Sequence, residues 1–202
     1  MKTAQFWFDP ICPWTYVTYQ WLTEVRAVRE IQILPRLLSL HYLNRDRKNP
    51  PHAESHLASL ALERFLAFVR QEQGDPAMEQ AYQLIANALF IDRAKADSDL
   101  VARTAHALGL DERPAVAAAG DSSWDQVILV DHEAAMGLVG SDVGSPVIAI
   151  EGGPAFFGPV LARSPRGEDA GRVWDGCQLL AQHPDFFELK RTRGPDVKIR
   201  FA

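Results

Sequence analysis

The stretch Phe6-Trp7-Phe8-Asp9-Pro10-Ile11-Cys12-Pro13-Trp14-Thr15-Tyr16 holds Cys12, one of two cysteines in a chain of 202 residues. Cys12 directly precedes Pro13, and proline favours the first turn of a helix, where its missing N–H costs nothing. That makes Cys12 the capping residue and Thr15 the third helical residue, one turn along the same face. A capping side chain faces backbone N–H groups without partners and the positive end of the helix dipole. Both favour a thiolate. The position therefore predicts a pKa below the free-thiol value of about 8.5 and a nucleophilic sulfur at neutral pH. A small, inert cysteine at a strand end is the plain alternative. Asp9 would oppose ionisation if its carboxylate turned inward, but an Asp-Pro pair predicts a turn or capping role.

A cysteine at position 15 would complete a dithiol loop and release a mixed disulfide from Cys12. Thr15 cannot do this, although its hydroxyl can donate to a Cys12 thiolate. A mixed disulfide on Cys12 then needs an external thiol to resolve it. Cys177 lies on the apolar face of a predicted helix, which reads as a buried structural thiol. Far along the chain, Gly144-Ser145-Pro146-Val147 places a proline at the first residue of a strand, where an X–Pro bond can be cis.

The elements that position these residues follow from periodicity. Ala4 to Asp9 predicts a buried strand. A helix begins at Pro13 and carries Trp14, Val17, Trp21, Val25 and Val28 on one face. Ile31 to Ser39 predicts a second strand, at an edge or bulged because of Pro35. Residues 52 to 140 read as helical almost throughout. They include a stripe of Leu57, Leu60, Ala61, Phe65, Phe68 and Val69, helices capped by Asp75, Asp97 and Ser122 or Ser123, and a short helix from Pro114. Val147 to Ile150 and Ala155 to Phe157 flank Glu151-Gly152-Gly153-Pro154 as a hairpin. Ser164-Pro165 opens a last helix with Val173, Trp174, Cys177, Leu180 and Ala181 inward. The order β-α-β, a helical block, then β-β-α implies an α/β fold whose central sheet is covered by helices.

Composition excludes several classes of function. The chain is 47% hydrophobic and 23% charged, ordinary for a globular protein. A formal charge of −5 and a pI near 5.7 give no footprint for nucleic acid. The basic run Lys190, Arg191, Arg193 reads as a solvated tail. No apolar run is long enough for a membrane span, and the first residues carry no signal-peptide pattern. No Cys/His spacing fits a metal and no glycine-rich loop fits a phosphate.

Taken together, Phe8-Asp9-Pro10-Ile11-Cys12-Pro13-Trp14, the helical insertion, Gly144-Ser145-Pro146 and the final helix resemble a DsbA-like protein with a thioredoxin fold. Within that group, "FWFDPICPW", "LSLHYLN", Ser141-Asp142-Val143-Gly144, "FFGPVL", "PRGEDAG" and "FFELKRTR" resemble the actinobacterial mycothiol-dependent nitroreductases. The resemblance spans nearly the whole chain. It implies a thioredoxin-fold domain of residues 1–51 and 141–202 interrupted by a helical domain of residues 52–140. It implies a cytoplasmic enzyme, often a homodimer, with no tightly bound cofactor. Its co-substrate would be a low-molecular-weight thiol, mycothiol or glutathione, and its substrate a disulfide or a small electrophilic or nitro compound. Carried over by position, Cys12 and Thr15 are the catalytic pair, with Cys12 the nucleophile. Pro13, Trp14, Asn44, Ser145 and Pro146 bind substrate or thiol, with Pro146 a cis-proline beside the sulfur. CPWT departs from the family's CPWC at Thr15.

Two other readings stay open. The first is a transferase or isomerase that activates a bound thiol, as in the kappa-class and 2-hydroxychromene-2-carboxylate isomerase groups. The second is a non-catalytic binding module on the same fold.

Overall fold

The computed structural model describes residues 1–50, 52–151, 153–194 and 196–201. The apolar run after Met1 forms strand β1, Lys2–Phe8. It is flanked by β2, Ile31–Leu37, and by β3, Val147–Ile150, and β3 pairs in turn with β4, Ala155–Phe157. The sheet order is β2-β1-β3-β4. β1 and β2 are parallel, with Phe6 opposite Pro35. β1–β3 and β3–β4 are antiparallel. β2 is an edge strand, which is where a proline without an N–H is tolerated. Gly152 of the predicted hairpin lies outside the described residues; the strands on either side of it pair as expected.

Side chains on β1 alternate between two apolar layers, as a period of two requires. Ala4, Phe6 and Phe8 enter the main core, and Trp7 enters a smaller one on the other face. Helix α1, Pro13–Val28, lies on the main side. It buries Trp21, Val17 and Val25 completely, but also Tyr16, Tyr19 and Leu22, so its buried face is wider than the five-residue stripe predicted. The final helix, α8, Gly167–Ala181, packs on α1. Trp21 and Trp174 meet at 6.0 Å between ring centroids, and Trp21 Nε1 donates to the Ala170 carbonyl at 3.1 Å.

The predicted helical block consists of α3 (Ala53–Gln73), α4 (Asp75–Phe90), α5 (Ser98–Ala107), α6 (Glu112–Gly120) and α7 (Asp125–Val139), preceded by a short α2 (Leu40–Asn44). Phe65 of α3 and Tyr82 of α4 share the main core with the sheet, and the Tyr82 ring packs tilted against Phe8 with centroids 4.0 Å apart. Ala135 of α7 closes the second layer against Trp7. With this strand order and connectivity the chain is an α/β thioredoxin fold carrying a helical insertion.

Helix starts differ from expectation where the cap moves by one or two residues. Gly74, at φ 86°, precedes α4. Asp75 is already helical, and its carboxylate pairs with Arg36 at 3.1 Å instead of capping. Before α7 the capping carboxylate is Asp121, which accepts from Ser123 N at 2.8 Å and starts a 3-10 turn, Ser122–Trp124. α8 begins two residues beyond Pro165, after Arg166. Leu57 of the predicted stripe is 59% exposed, because it sits near the start of α3, where it lines a surface hollow. Asp97 does cap α5, accepting from Leu100 N at 3.1 Å. Asp97→Ala should lower stability by about 1 kcal/mol, read from chemical denaturation.

Candidate functional site

Cys12 stands where β1 turns into α1. It is the capping residue, in an extended conformation (φ −79°, ψ 113°), with Pro13 in the first helical position. Its Sγ accepts no hydrogen bond in capping geometry. The thiol instead donates to the Ser145 carbonyl at 3.6 Å, across 133 residues of sequence. Cys12 is only 6% exposed.

That burial reverses the expected sign of its pKa. Desolvation pushes the Cys12 thiol up, and the Asp9 charge adds to the rise. The Thr15 hydroxyl and the backbone N–H groups of Thr15 and Trp14 pull it down, as the helix-start argument requires, but they lose to burial. Taking the charged form out of water outweighs a few favourable dipoles. Alkylation of Cys12 in the free protein should therefore be slow at neutral pH and rise with an inflection above the free-thiol value. Peptide mass spectrometry across an alkaline pH series reads this directly.

Thr15 is fully buried. Its hydroxyl is 2.7 Å from Ser145 Oγ, which also accepts from Asp9 N at 3.2 Å. Ser145 thus ties together the sulfur, the residue one turn along and the end of β1. The Ser145–Pro146 peptide bond is cis, as is Gly158–Pro159. Pro13 and Trp14 are half-buried at the mouth. Arg193 places its guanidinium 4.9 Å from the centre of the Trp14 ring, so part of the basic run contacts the site instead of ending as a solvated tail. Phe201 packs its ring, tilted, against Tyr16 and Phe90.

Asn44 lies at the end of α2, where its Nδ2 donates to the Leu40 carbonyl at 2.8 Å. With His41, Arg45, His56 and Leu57 it lines a hollow of about 360 Å³. A larger hollow, about 600 Å³, is formed by residues 92–103 and includes none of the predicted site residues. Cys177 is unpaired, like Cys12, and lies on α8 against the main core. Burial pushes its thiol up to about 11, which suits a structural role. No cluster of metal-ligating side chains occurs among the described residues.

The sequence reading missed a buried polar group beneath the Cys12 turn. Asp9 does hold a turn, accepting from Ile11 N at 2.9 Å. Its carboxylate also points inward, accepting from Leu40 N at 2.7 Å and from Ser59 Oγ at 2.5 Å. Glu63, one turn after Ser59 on α3, is completely buried. Desolvation, followed by the Asp9 charge, holds its carboxyl well above the usual range. The available signal was an acid inside the apolar stripe of α3, between Leu60 and Leu66, with Ser59 four residues before it.

The Rv2466c-like family model, described as mycothiol-dependent nitroreductase Rv2466c, matches residues 11–191. The chain belongs to this family. It is 30% identical to "Uncharacterized protein Rv2286c" of Mycobacterium tuberculosis, over 98% of this chain and 86% of that protein. Among solved structures it is similar to the "probable DsbA oxidoreductase SCO1869" of Streptomyces coelicolor, with a TM-score of 0.64, 16% identity and 98% of both chains covered. It is also similar to the cytosolic disulfide reductase DsbM of Pseudomonas aeruginosa with GSH, with a TM-score of 0.57, 16% identity and coverage of 88% and 98%. The fold is DsbA-like, and the family is one of thiol-dependent oxidoreductases. No helix among the described residues is long and apolar enough to cross a membrane.

Proposed function

We propose that this family member is a monothiol oxidoreductase in which Cys12 is the nucleophile and an external low-molecular-weight thiol, mycothiol or glutathione, resolves its mixed disulfide. The observation that carries the reading is the constellation at the start of α1. A single sulfur sits against Ser145 beside Pro146, with a hydroxyl at position 15 where a resolving thiol would stand.

The exchange balances in two steps. The Cys12 thiolate attacks one sulfur of a disulfide R–S–S–R, forms Cys12–S–S–R and releases RS⁻, which takes up a proton. A thiolate R′S⁻ then attacks the R sulfur, forms R–S–S–R′ and returns Cys12 as a thiolate. Displacement of the groups covering Cys12 would relieve the desolvation that holds its proton. The Trp14 and Thr15 N–H groups and the Thr15 hydroxyl would then stabilise the anion. In this reading Pro13, Trp14, Ser145 and Pro146 border the bound thiol or substrate, and Asn44 binds from the hollow it lines with His41 and His56. Residues 1–51 and 141–202 serve as the thioredoxin-fold domain and residues 52–140 as an inserted helical domain. The protein acts in the cytoplasm, as a homodimer.

Incubation with a mycothiol disulfide should add one mycothiol to the Cys12 peptide, and excess reduced thiol should remove it. Failure of any adduct to form on Cys12 would end this reading. The burial of Cys12 favours one competitor, a transferase or isomerase that activates a bound thiol and does not need its own sulfur. That competitor predicts turnover without an adduct.

A further inference from the structure

Glu63 is the least explained group in the molecule. It is a carboxylic acid with no exposure to solvent, and neither of its side-chain oxygens has a hydrogen-bond partner. A buried polar group without a partner costs free energy, and a buried, unpaired carboxylate costs far more. The residue is neither at the surface nor in an ion pair, so packing alone does not account for it.

Its surroundings supply an account. The Glu63 carboxyl lies beside Asp9 and Ser39, close enough for both to act on its proton affinity. A carboxylate offers about four lone-pair sites. Asp9 uses three: Oδ1 takes Ile11 N and Ser59 Oγ, and Oδ2 takes Leu40 N. One acceptor site on Oδ2 is left, and the nearby Glu63 is an acid without a hydrogen-bond partner. A neutral Glu63 donating to that site would satisfy both. Two neighbouring buried carboxylates disfavour being ionised together, because like charges repel strongly away from water.

The pair also joins parts of the chain that are distant in sequence. Asp9 directly follows β1 and holds the turn that carries Cys12, whose own N–H donates to the Asp9 carbonyl at 3.1 Å. Leu40 begins α2. Ser59 and Glu63 face Asp9 from α3. The pair therefore sits between the Cys12 turn and the inserted helices.

We infer that Glu63 is a positioning residue for the Cys12 site: as a neutral acid on α3 it donates its proton to Asp9, holds that carboxylate against the Cys12 turn, and keeps the pair at one negative charge instead of two. This rests on the reading of Cys12 as the nucleophile only for its catalytic meaning; the geometry stands without it. Other titratable groups act on the cluster. Cys12 and Tyr82 lie towards α1 and α4, Tyr42 on α2, and His56 on α3. Asp125 and His132 face it from α7. Asp125 is held by Arg64 at 2.6 Å, so its charge is matched locally.

Glu63→Gln keeps the shape and a donor but cannot ionise, which isolates the charge. Three measurements on the full chain, in a Cys177→Ser background for the thiol assay, test the inference. Infrared spectra at neutral pH should contain a protonated-carboxyl stretch in the wild type that is missing in Glu63→Gln. Loss of that proton at alkaline pH adds a second charge to the pair whose Asp9 already acts on Cys12, in the wild type only. The alkylation midpoint of Cys12 should therefore fall by about half a unit or more in Glu63→Gln, and the wild-type curve should be the broader of the two.

The sign for stability follows from the same proton. Folded Glu63 binds it more tightly than the unfolded chain does. Its contribution is complete below the ordinary glutamate value of about 4.3 and is lost as pH rises towards the raised folded value. From about pH 5 to about pH 9 the wild type should lose more Tm than Glu63→Gln.

Superimposable Cys12 titrations, or a neutral-pH spectrum with no protonated-carboxyl band assignable to Glu63, would overturn the inference. If Glu63→Gln does not fold, the wild-type band decides alone, assigned by 13C-glutamate labelling and its loss at alkaline pH. None of these readouts requires turnover. Failure of the Cys12 mechanism, seen as a Cys12→Ser protein that remains active, is a separate result.

Discussion

Cys12→Ser is expected to abolish both mixed-disulfide formation and thiol-dependent turnover while leaving the fold in place. The substitution is close to isosteric, and a serine hydroxyl can donate to the Ser145 carbonyl as the thiol does. The stability cost should therefore stay within about 1 kcal/mol. The neighbouring bonds, Thr15 to Ser145 Oγ and Asp9 N to Ser145 Oγ, do not involve the sulfur. A hydroxyl at this position has no accessible anion at neutral pH, so loss of activity would belong to the nucleophile and not to a collapsed site. Melting curves of the two proteins, run beside the turnover assay, separate those causes. A fully active Cys12→Ser protein would move the assignment to a reaction in which the protein activates a bound thiol.

Thr15→Cys is expected to change who resolves the mixed disulfide. Thr15 faces the same way as Cys12, one turn along α1, within the range that local adjustment can bridge. A thiol there can attack Cys12–S–S–R and expel RS⁻, closing a disulfide between positions 12 and 15. After one reaction with a disulfide, the variant should accumulate that internal bridge and little adduct, whereas the wild type holds the adduct until a second thiol arrives. Thiol counting and peptide mass spectrometry distinguish the two species. The cost is the hydrogen bond from position 15 to Ser145 Oγ, 2.7 Å in the wild type, worth about 1 kcal/mol. An adduct as stable as that of the wild type would mean that the missing sulfur at position 15 is not what makes this protein dependent on an external thiol.

Both results bear on how the site is built. The helix start supplies donors to the sulfur, while burial, with a smaller push from Asp9, decides whether those donors win. The burial that raises the Cys12 pKa favours the thiol over the thiolate in the free protein. Arg193 on Trp14 and Phe201 on Tyr16 are contacts of the C-terminal segment that border this mouth.

Much of this protein was determined locally. Pro13 after Cys12 placed the helix start, because a proline ring fits the first turn and nowhere else in a helix. The apolar and aromatic run from Ala4 to Asp9 marked a buried strand. Pro35 marked an edge strand, and Asp97 marked a cap. Each depends on residues within a few positions of one another, so periodicity and backbone chemistry suffice to read it. The pKa of Cys12, the inward turn of Asp9 and the burial of Glu63 beside it were decided by the tertiary structure alone. They depend on desolvation and on groups brought from afar, such as Ser145, 136 positions from Asp9, and Ser59, 50 positions away. A helix dipole can be inferred from the chain that makes it. The loss of water around a sulfur is a property of everything packed over it, and only the folded molecule contains that information.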